Sequence, residues 1–532
     1  MPKLTIDGIE VEVEHGLNLI QAAARIGIEV PHFCYHPSLS IVAQCRQCLV
    51  EVEGVPKVMP ACNTFVRDGL IVKTDTERAV KARRAALEFI LINHPLDCPI
   101  CQKGGECPLQ LTAFTHGPGY SRFDGPEEKK VRQKYYLSDR IVYDPNRCIM
   151  CTRCVRFTDE VTKTGELGYN DRGFRKRIVI FPGKKLDNDL AGNVIDLCPV
   201  GALLDKDELH EERVWYWEFT DSICSLCSNG CNITVGVDPR RGKISRIRPR
   251  INQDVNEFWI CDRGRYGFRD IQEQKRLKEP IRKANDSYEF ITWEDATNLF
   301  YLKLSEVEKN GSDPIAIIAS PTLTNEELFL IEKLSRIIGT ENIASNIGEQ
   351  IEEKKFGLIS SDPYPNSQGV REFLKIDSSE KIINLIRNII DGKITHLFVI
   401  GEDIFNFVND DEKQNFKKAL SNLSFLAVQD YKLSETIKYA DLILPGTSPY
   451  EKEGTYTNDM GRVQRLHQSI EPPGIAKQDW EIICLIGQKF QNESFSFDHP
   501  NEIMEELSLS INSFNNLNYD KIGILGLNKV SE

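Results

Sequence analysis

The sequence predicts a multidomain chain, α+β in its front half and α/β in its back half. Three observations predict it. Fifteen of the sixteen cysteines lie between residues 34 and 261. Residues 3–59 alternate polar and apolar side chains around one short helical stretch. From residue 313 onward, short apolar runs alternate with amphipathic helical segments. The cysteine distribution marks a boundary near residue 270, with small metal-organised domains before it and an ordinary hydrophobic core after it.

The bulk numbers set the frame. A chain of 532 residues has room for about three to five domains. At 41% hydrophobic residues it can bury sizeable cores, and a formal charge of −13 argues against nucleic acid as the main partner. No apolar run approaches the roughly 18–20 residues of a membrane-spanning helix. The N-terminal "MPKLTIDGIEVEVEHG" alternates like a strand, without the apolar core of a signal peptide or the Arg/Ser bias of a transit peptide. The chain is therefore expected to start soluble, on the cytoplasmic side of any membrane. That compartment, and the tight Cys-x2-Cys pairs, argue against disulfides.

Residues 3–13 and 48–59 read as strands and residues 17–27 as a short helix ending at Gly27. Strands with one helix and cysteine-bearing loops suit a β-grasp ferredoxin module. Residues 78–94 read as an amphipathic helix with Val80, Leu87, Ile90, Leu91 and His94 on one face, stopped by Pro95. His94 is thereby expected at a helix end, on the buried side. Residues 124–134, "DGPEEKKVRQK", read as a solvated connector. The runs at 313–320, 395–401, 423–430 and 439–446 read as buried parallel strands. Between them, 325–338 reads as a helix with a Thr324–Glu327 capping box. This alternation predicts a doubly wound α/β domain. The Asn-rich 512–521 reads as loop or surface.

The cysteines fall into sets. Cys34, Cys45, Cys48 and Cys62 suit zinc or a [2Fe–2S] cluster; the first gap is longer than in plant-type ferredoxins, and the β-grasp surroundings favour iron–sulfur. "NHPLDCPICQKGGEC" supplies His94, Cys98, Cys101 and Cys107, and on its own leaves zinc and iron–sulfur both open. Cys148-x2-Cys151-x2-Cys154 with a distant Cys198–Pro199 matches the bacterial ferredoxin signature and reads as a [4Fe–4S] site. Cys224-x2-Cys227-x3-Cys231 with Cys261 allows zinc by spacing, and a neighbouring cubane favours a second [4Fe–4S]. Gly230 is expected to permit its tight loop. These sets use fifteen cysteines and leave Cys484, in the helical "WEIICLIGQKF", as a buried inert thiol.

In this order the sets, together with "FCYHPSLS", "CRQCLVEVEG", "NHPLDCPIC" and "GGEC", resemble the large iron–sulfur subunit of the NADH-quinone oxidoreductases, respiratory complex I. The resemblance covers essentially the whole chain. It implies that His94, Cys98, Cys101 and Cys107 hold a [4Fe–4S] cluster. The chain would then carry one [2Fe–2S] and three [4Fe–4S] clusters. The Cys224 set resembles the cluster that introduces molybdopterin oxidoreductases, and the back half, including "ADLILPGTSPYEKEGTYTNDMGRVQ" (440–464), resembles that fold. The resemblance implies a shortened relic without its cofactor, since the chain after Cys261 is too short for a full molybdopterin enzyme. The expected domains are 1–78 [2Fe–2S] ferredoxin-like, 79–118 His/Cys-ligated, 119–216 [4Fe–4S] ferredoxin-like, 217–273 molybdopterin-oxidoreductase-type [4Fe–4S], and 274–532 the relic.

The resemblance also implies a role. No G-x-G-x-x-G fingerprint or other clear NADH or flavin site is present, so no catalytic residue, hydride-transfer site or quinone site is expected in this chain. A flavin-bearing, NADH-oxidising partner would feed it single electrons, and quinone-side iron–sulfur subunits would receive them. The Cys224-type cluster would lie off the main path. The expected location is the cytoplasmic face of a bacterial inner membrane, peripheral, in a proton-translocating complex. The rivals are an iron-only hydrogenase, short of cysteines here, and a formate-dehydrogenase-type or hydrogenase-associated electron-transfer subunit. A zinc-stapled interaction protein is a third, from another class.

Overall fold

The structure is a computed structural model that describes residues 1–123, 129, 131–209, 211–284, 287–307, 313–348, 353–490 and 493–529. Six residues of the expected connector, 124–128 and 130, lie outside these. The chain divides into two units, Met1–Trp217 and Glu218–Glu532. The cysteine boundary near 270 is therefore not the structural one, because the Cys224 set belongs to the second unit.

In the first unit, strands β1 (Lys3–Ile6) and β2 (Ile9–Glu12) form a hairpin where one strand was expected. Asp7 and Gly8 both take positive φ, 48° and 85°, the two left-handed positions of a tight hairpin turn. Helix α1 (Leu19–Arg25) starts two residues later than expected, because Asn18 caps it and Gln21 closes a capping box. The 48–59 stretch is also two strands, β3 (Leu49–Val52) and β4 (Met59–Pro60). With β5 (Leu70–Lys73) they form a five-stranded sheet in the order β2-β1-β5-β3-β4, in which β1 and β5 run parallel. Helix α2 (Glu77–Leu91) ends before His94, which lies in the following turn with its N–H on the Leu91 carbonyl. The residue before a proline avoids the helical region, and here the helix stops well short of Pro95. The buried face of α2 is Ala79, Arg83 and Leu87; of the predicted stripe only Leu87 is fully buried, and Val80, Ile90 and Leu91 are partly exposed. Arg83 is buried because its guanidinium donates to the carbonyls of Leu49 (3.0 Å) and Thr74 (2.7 Å).

After helix α3 (Pro108–His116) come β6 (Tyr135–Tyr136), β7 (Ile141–Tyr143), α4 (Arg153–Arg156), β8 (Leu167–Asn170), β9 (Arg177–Ile180), α5 (Asn193–Leu197) and β10 (Leu203–Asp205). Strands β10-β7-β6 form one small sheet and β8-β9 another. Cys148 and Cys151 precede α4, Cys154 lies within it, and Cys198 caps the end of α5.

The second unit begins with the antiparallel sheet β11 (Glu218–Ile223), β12 (Asn232–Asp238) and β13 (Lys243–Pro249). Next come the short helix α6 (Asp262–Tyr266) and the hairpin β14 (Ile281–Ala284) and β15 (Ser287–Phe290). The predicted parallel strands are present as β16 (Ile315–Ala319), β18 (His396–Ile400), β19 (Phe425–Asp430) and β20 (Leu442–Pro445), with β17 (Ile343–Ala344) at the edge. Their order is β15-β14-β20-β19-β18-β16-β17, with helices and two apolar cores against the sheet, so the domain is doubly wound as predicted. The helix Asn325–Ile338 carries the expected Thr324–Glu327 capping box. The 512–521 segment is a correction: Phe514, Leu517 and Tyr519 are buried in the core. Cys484 is buried in helix Asp479–Phe490, with its thiol pushed up to about 12 by burial.

Candidate metal centres

All sixteen thiols are free, and the structure gathers each of the four sets. In the first, Cys34 hydrogen-bonds Cys45 and Cys48 hydrogen-bonds Cys62, while Cys62 also feels the charges of Cys34 and Cys45. The Cys34–Cys45 bond raises Cys34 and lowers Cys45, and the Cys48–Cys62 bond raises Cys48 and lowers Cys62. In the second set, Cys101 is within electrostatic reach of Cys98 and Cys107 of Cys101, and His94 shares a cavity wall with Cys98 and Cys107. In the third, Cys148, Cys151, Cys154 and Cys198 line one small cavity. In the fourth, Cys224, Cys227 and Cys261 all act on Cys231. Among the described residues, no set is drawn in tightly enough to clasp a single metal ion.

Burial raises most of these thiols: Cys101 and Cys107, Cys151 to about 12, Cys154, and all of the fourth set, Cys261 to about 11. A buried thiol resists ionisation until a cation joins it, and metal binding then releases the proton. Backbone and side-chain N–H groups already point at the sulfurs. Met150 N–H lies 3.4 Å from the Cys148 sulfur, Gly264 N–H 3.3 Å from Cys261, and the Asn229 amide 3.1 Å from Cys231. Such bonds favour the thiolate and tune a bound metal centre. Lys354 adds charge to the last of them, donating to Asn229 (2.5 Å) and Asp459 (2.9 Å).

The loops reach this geometry through left-handed backbone. Among the described residues, four of the eleven non-glycine positions with positive φ lie within two positions of a set cysteine: Ala43, Arg46, Met150 and Thr152. Each costs about 1–2 kcal/mol relative to glycine. Successive N–H groups around such residues form an anion-binding concavity. Gly230 supplies the same turn before Cys231, at φ 65°, as expected from the sequence.

Two features were not foreseen. Arg153 and Arg156, which flank Cys154, reach across to carbonyls of the first set's loop. Arg147, beside Cys148, donates to Asp97 next to Cys98 (2.6 Å). The run "RCIMCTRCVRF" displays all three arginines, and nothing local in it reveals their distant partners. The second and third sets also touch directly. The Cys107 sulfur lies 3.7 Å from the Pro199 carbonyl, and a Cβ on Gly201 would fall 2.3 Å from the Cys101 sulfur. Only glycine lets the loop after Cys198 pass so close.

Comparison with known proteins follows these sets along the chain. Five family descriptions match: "2Fe-2S iron-sulfur cluster binding domain" at 2–77, "NADH-ubiquinone oxidoreductase-G iron-sulfur binding region" at 83–122, "NADH-quinone oxidoreductase subunit 3, ferredoxin-like domain" at 138–204, "Molybdopterin oxidoreductase Fe4S4 domain" at 217–273, and "Molybdopterin oxidoreductase" at 276–354 and 342–489. The chain is 38% identical to the G subunit of NADH-quinone oxidoreductase from Rickettsia conorii, over 91% of this chain and 87% of the relative. It is 30% identical to the corresponding protein of Rickettsia typhi, over 98% and 91%. It is 28% identical to the mitochondrial NADH-ubiquinone oxidoreductase 78 kDa subunit of Candida albicans, over 93% and 83%.

The last description implies a pterin, and the residues present do not fit one. In a doubly wound sheet such a ligand would lie beyond the carboxyl ends of the strands. Here that space is a cavity of about 110 Å³ lined by Thr322, Gly401, Asp430, Lys432, Thr447 and Lys452. Sites for drug-sized ligands run to about 300–1,000 Å³. Lys452, fully buried, is locked to Glu327 (2.8 Å) and Asp479 (3.0 Å), which fill the site with protein charge.

Proposed function

The chain belongs to the family of NADH-quinone oxidoreductase G subunits, and from that premise we propose that it is the electron-relay subunit of such a complex, ligating one [2Fe–2S] and three [4Fe–4S] clusters. The ligands are Cys34, Cys45, Cys48 and Cys62 for the two-iron cluster. The four-iron clusters take His94, Cys98, Cys101 and Cys107; Cys148, Cys151, Cys154 and Cys198; and Cys224, Cys227, Cys231 and Cys261. The observation that carries the reading is the coincidence of each gathered set with an iron–sulfur family description along the chain. Iron–sulfur clusters, when bound, accept and release single electrons.

The residues of this chain do the rest. The thiolates and His94 hold the sites, and the N–H groups aimed at sulfur stabilise added negative charge. In the first unit the sets adjoin in the order Cys34, Cys148, His94. Arg156 links the first pair, and Pro199 and Gly201 bring the second pair into contact. The Cys148 set is thereby the middle of the series.

The partners are the other subunits of the complex: a flavin-bearing subunit that oxidises NADH, and quinone-side iron–sulfur subunits. No helix of the described residues is long and apolar enough to cross a membrane. The chain sits peripherally, on the cytoplasmic face of a bacterial inner membrane. The domains are 1–78, 79–118, 119–216, 217–273 and 274–532. Metal and sulfide analysis of anaerobically purified protein, with EPR of the reduced form, tests the reading. It expects about 14 iron atoms per chain, from one two-iron and three four-iron clusters. Zinc without sulfide, or stoichiometric molybdenum, overturns it.

A further inference from the structure

Two arginines lie between the Cys34 and Cys148 sets, and among the described residues neither pairs with an acid. Arg156, buried, donates to the carbonyls of Ser40 (2.5 Å), Cys34 (2.6 Å) and Cys151 (3.2 Å). Arg153, half-buried, donates to the carbonyls of Tyr35 and Leu197, the latter at 3.3 Å, and lines the Cys148 cavity. One guanidinium thus bonds a ligand residue of each set, and the other bonds the neighbours of Cys34 and Cys198. Among the described residues, every hydrogen-bond acceptor of the pair is a carbonyl. Of the two acids that follow in sequence, Asp159 interacts with Lys184, and Glu160 is engaged by the Ser40 N–H (2.8 Å) and hydroxyl (2.5 Å).

A guanidinium taken out of water is costly unless negative charge opposes it, and carbonyl dipoles supply only part of that. The charge within reach is on sulfur: Arg153 interacts with Cys151, Cys34 and Cys198, drawn from both sets. With both sets loaded, the pair faces four thiolates on each side. A cation beside a cluster favours its reduced form and raises its potential. We propose that Arg153 and Arg156 are a shared positioning element of the [2Fe–2S] and Cys148-type [4Fe–4S] sites, fixing the two sites against each other and raising both potentials together. The proposal rests on the cluster assignment above. The bland alternative is a pair of staples that only join two loops.

The test is an EPR-monitored redox titration of the assembled complex carrying Arg153→Gln, Arg156→Gln, Arg153→Lys or Arg156→Lys. Each glutamine variant is expected to lower the midpoints of both clusters, by about tenfold in the reduced-to-oxidised ratio at fixed ambient potential, or about 59 mV for one electron. Each lysine variant, which keeps the charge, is expected to stay near wild type. A shift confined to one cluster, no shift, or an equal shift with lysine overturns the proposal. If the glutamine variants lose a cluster, the lysine variants decide. Retention of both clusters at wild-type potentials supports a charge role, and their loss shows a packing role and overturns it. Wild-type protein lacking the two signals would instead overturn the cluster assignment itself, so the two failures are distinguishable.

Discussion

The Cys148 set and the His94 set are neighbours in one unit and are housed in opposite ways. The four cysteines of the first enclose a cavity of about 20 Å³ walled by Tyr143, Ile178, Val200 and Leu203. His94, Cys98 and Cys107 open onto a cavity of about 460 Å³, and Cys98 and Cys107 onto a second of about 830 Å³. At the rim of the former, Leu96 and Phe114 are 80% exposed. The smaller cavity holds little water, and nearby protein charge acts more strongly there. At the open site, solvent and salt screen the surroundings. The lever on potential therefore differs in weight: Arg153 and Arg156 serve the closed set, while at the open one the ligand itself adds to Arg147, which acts on Cys101. A neutral imidazole in place of a thiolate removes a negative charge that no solvent screens from the metal. This gives the histidine a physical reason to sit in the open set.

The contrast breaks first on ligand loss, where the largest effect is expected. Cys151→Ser in the closed set should cost its whole cluster, taking iron from about 14 to about 10 atoms per chain. The cavity admits too little water to supply a substitute ligand. Cys98→Ser in the open set should retain at least about half of its four irons, because solvent oxygen has access. Iron and sulfide analysis of the two variants measures this. Equal losses would mean that the open cavities do not govern ligand exchange.

His94→Cys comes next in size and tests the ligand as lever. Iron content should hold, and one EPR signal should move to lower potential, by more than about tenfold in its reduced-to-oxidised ratio, because a negative charge has been added at the metal. The other signals should stay in place. An unmoved potential would remove His94 from the ligand set.

How much of this was legible in the sequence depends on how local each signal is. Cys148, Cys151 and Cys154 declare themselves by spacing alone, and Thr324 with Glu327 marks a helix start that the structure reproduces. Asn18 and Gln21 make the same capping box with different residues, which hid it. The hairpin at Asp7–Gly8 was signalled by an Asp-Gly pair, but unbroken alternation through 3–13 read as one strand. The left-handed residues Ala43, Arg46, Met150 and Thr152 carry no glycine signal, because the fold around the cysteine loops imposes their conformation. Arg156 bonds carbonyls 116 and 122 residues away, a relation no local pattern encodes. In 512–521, polar neighbours masked Phe514, Leu517 and Tyr519, whose burial is decided by the helices they pack on.

The smallest expected effect sharpens the comparison most, because it asks whether charge around the open set is screened. Arg213 donates to the carbonyls of Cys101 (2.5 Å) and Pro99, the latter bond lying at the surface. It is the open set's counterpart to Arg156. Arg213→Gln should lower the His94-type midpoint by less than about tenfold in the reduced-to-oxidised ratio. The shift should shrink further in about 1 M salt, where the screening length falls to about 3 Å. The Arg156→Gln shift, acting from a buried guanidinium, should barely respond to salt. Titrating both variants at low and high salt separates the cases. An Arg213 shift as large and as salt-insensitive as that of Arg156 would mean that the two sites are electrostatically alike, and the imidazole would then need another explanation than an open, screened site.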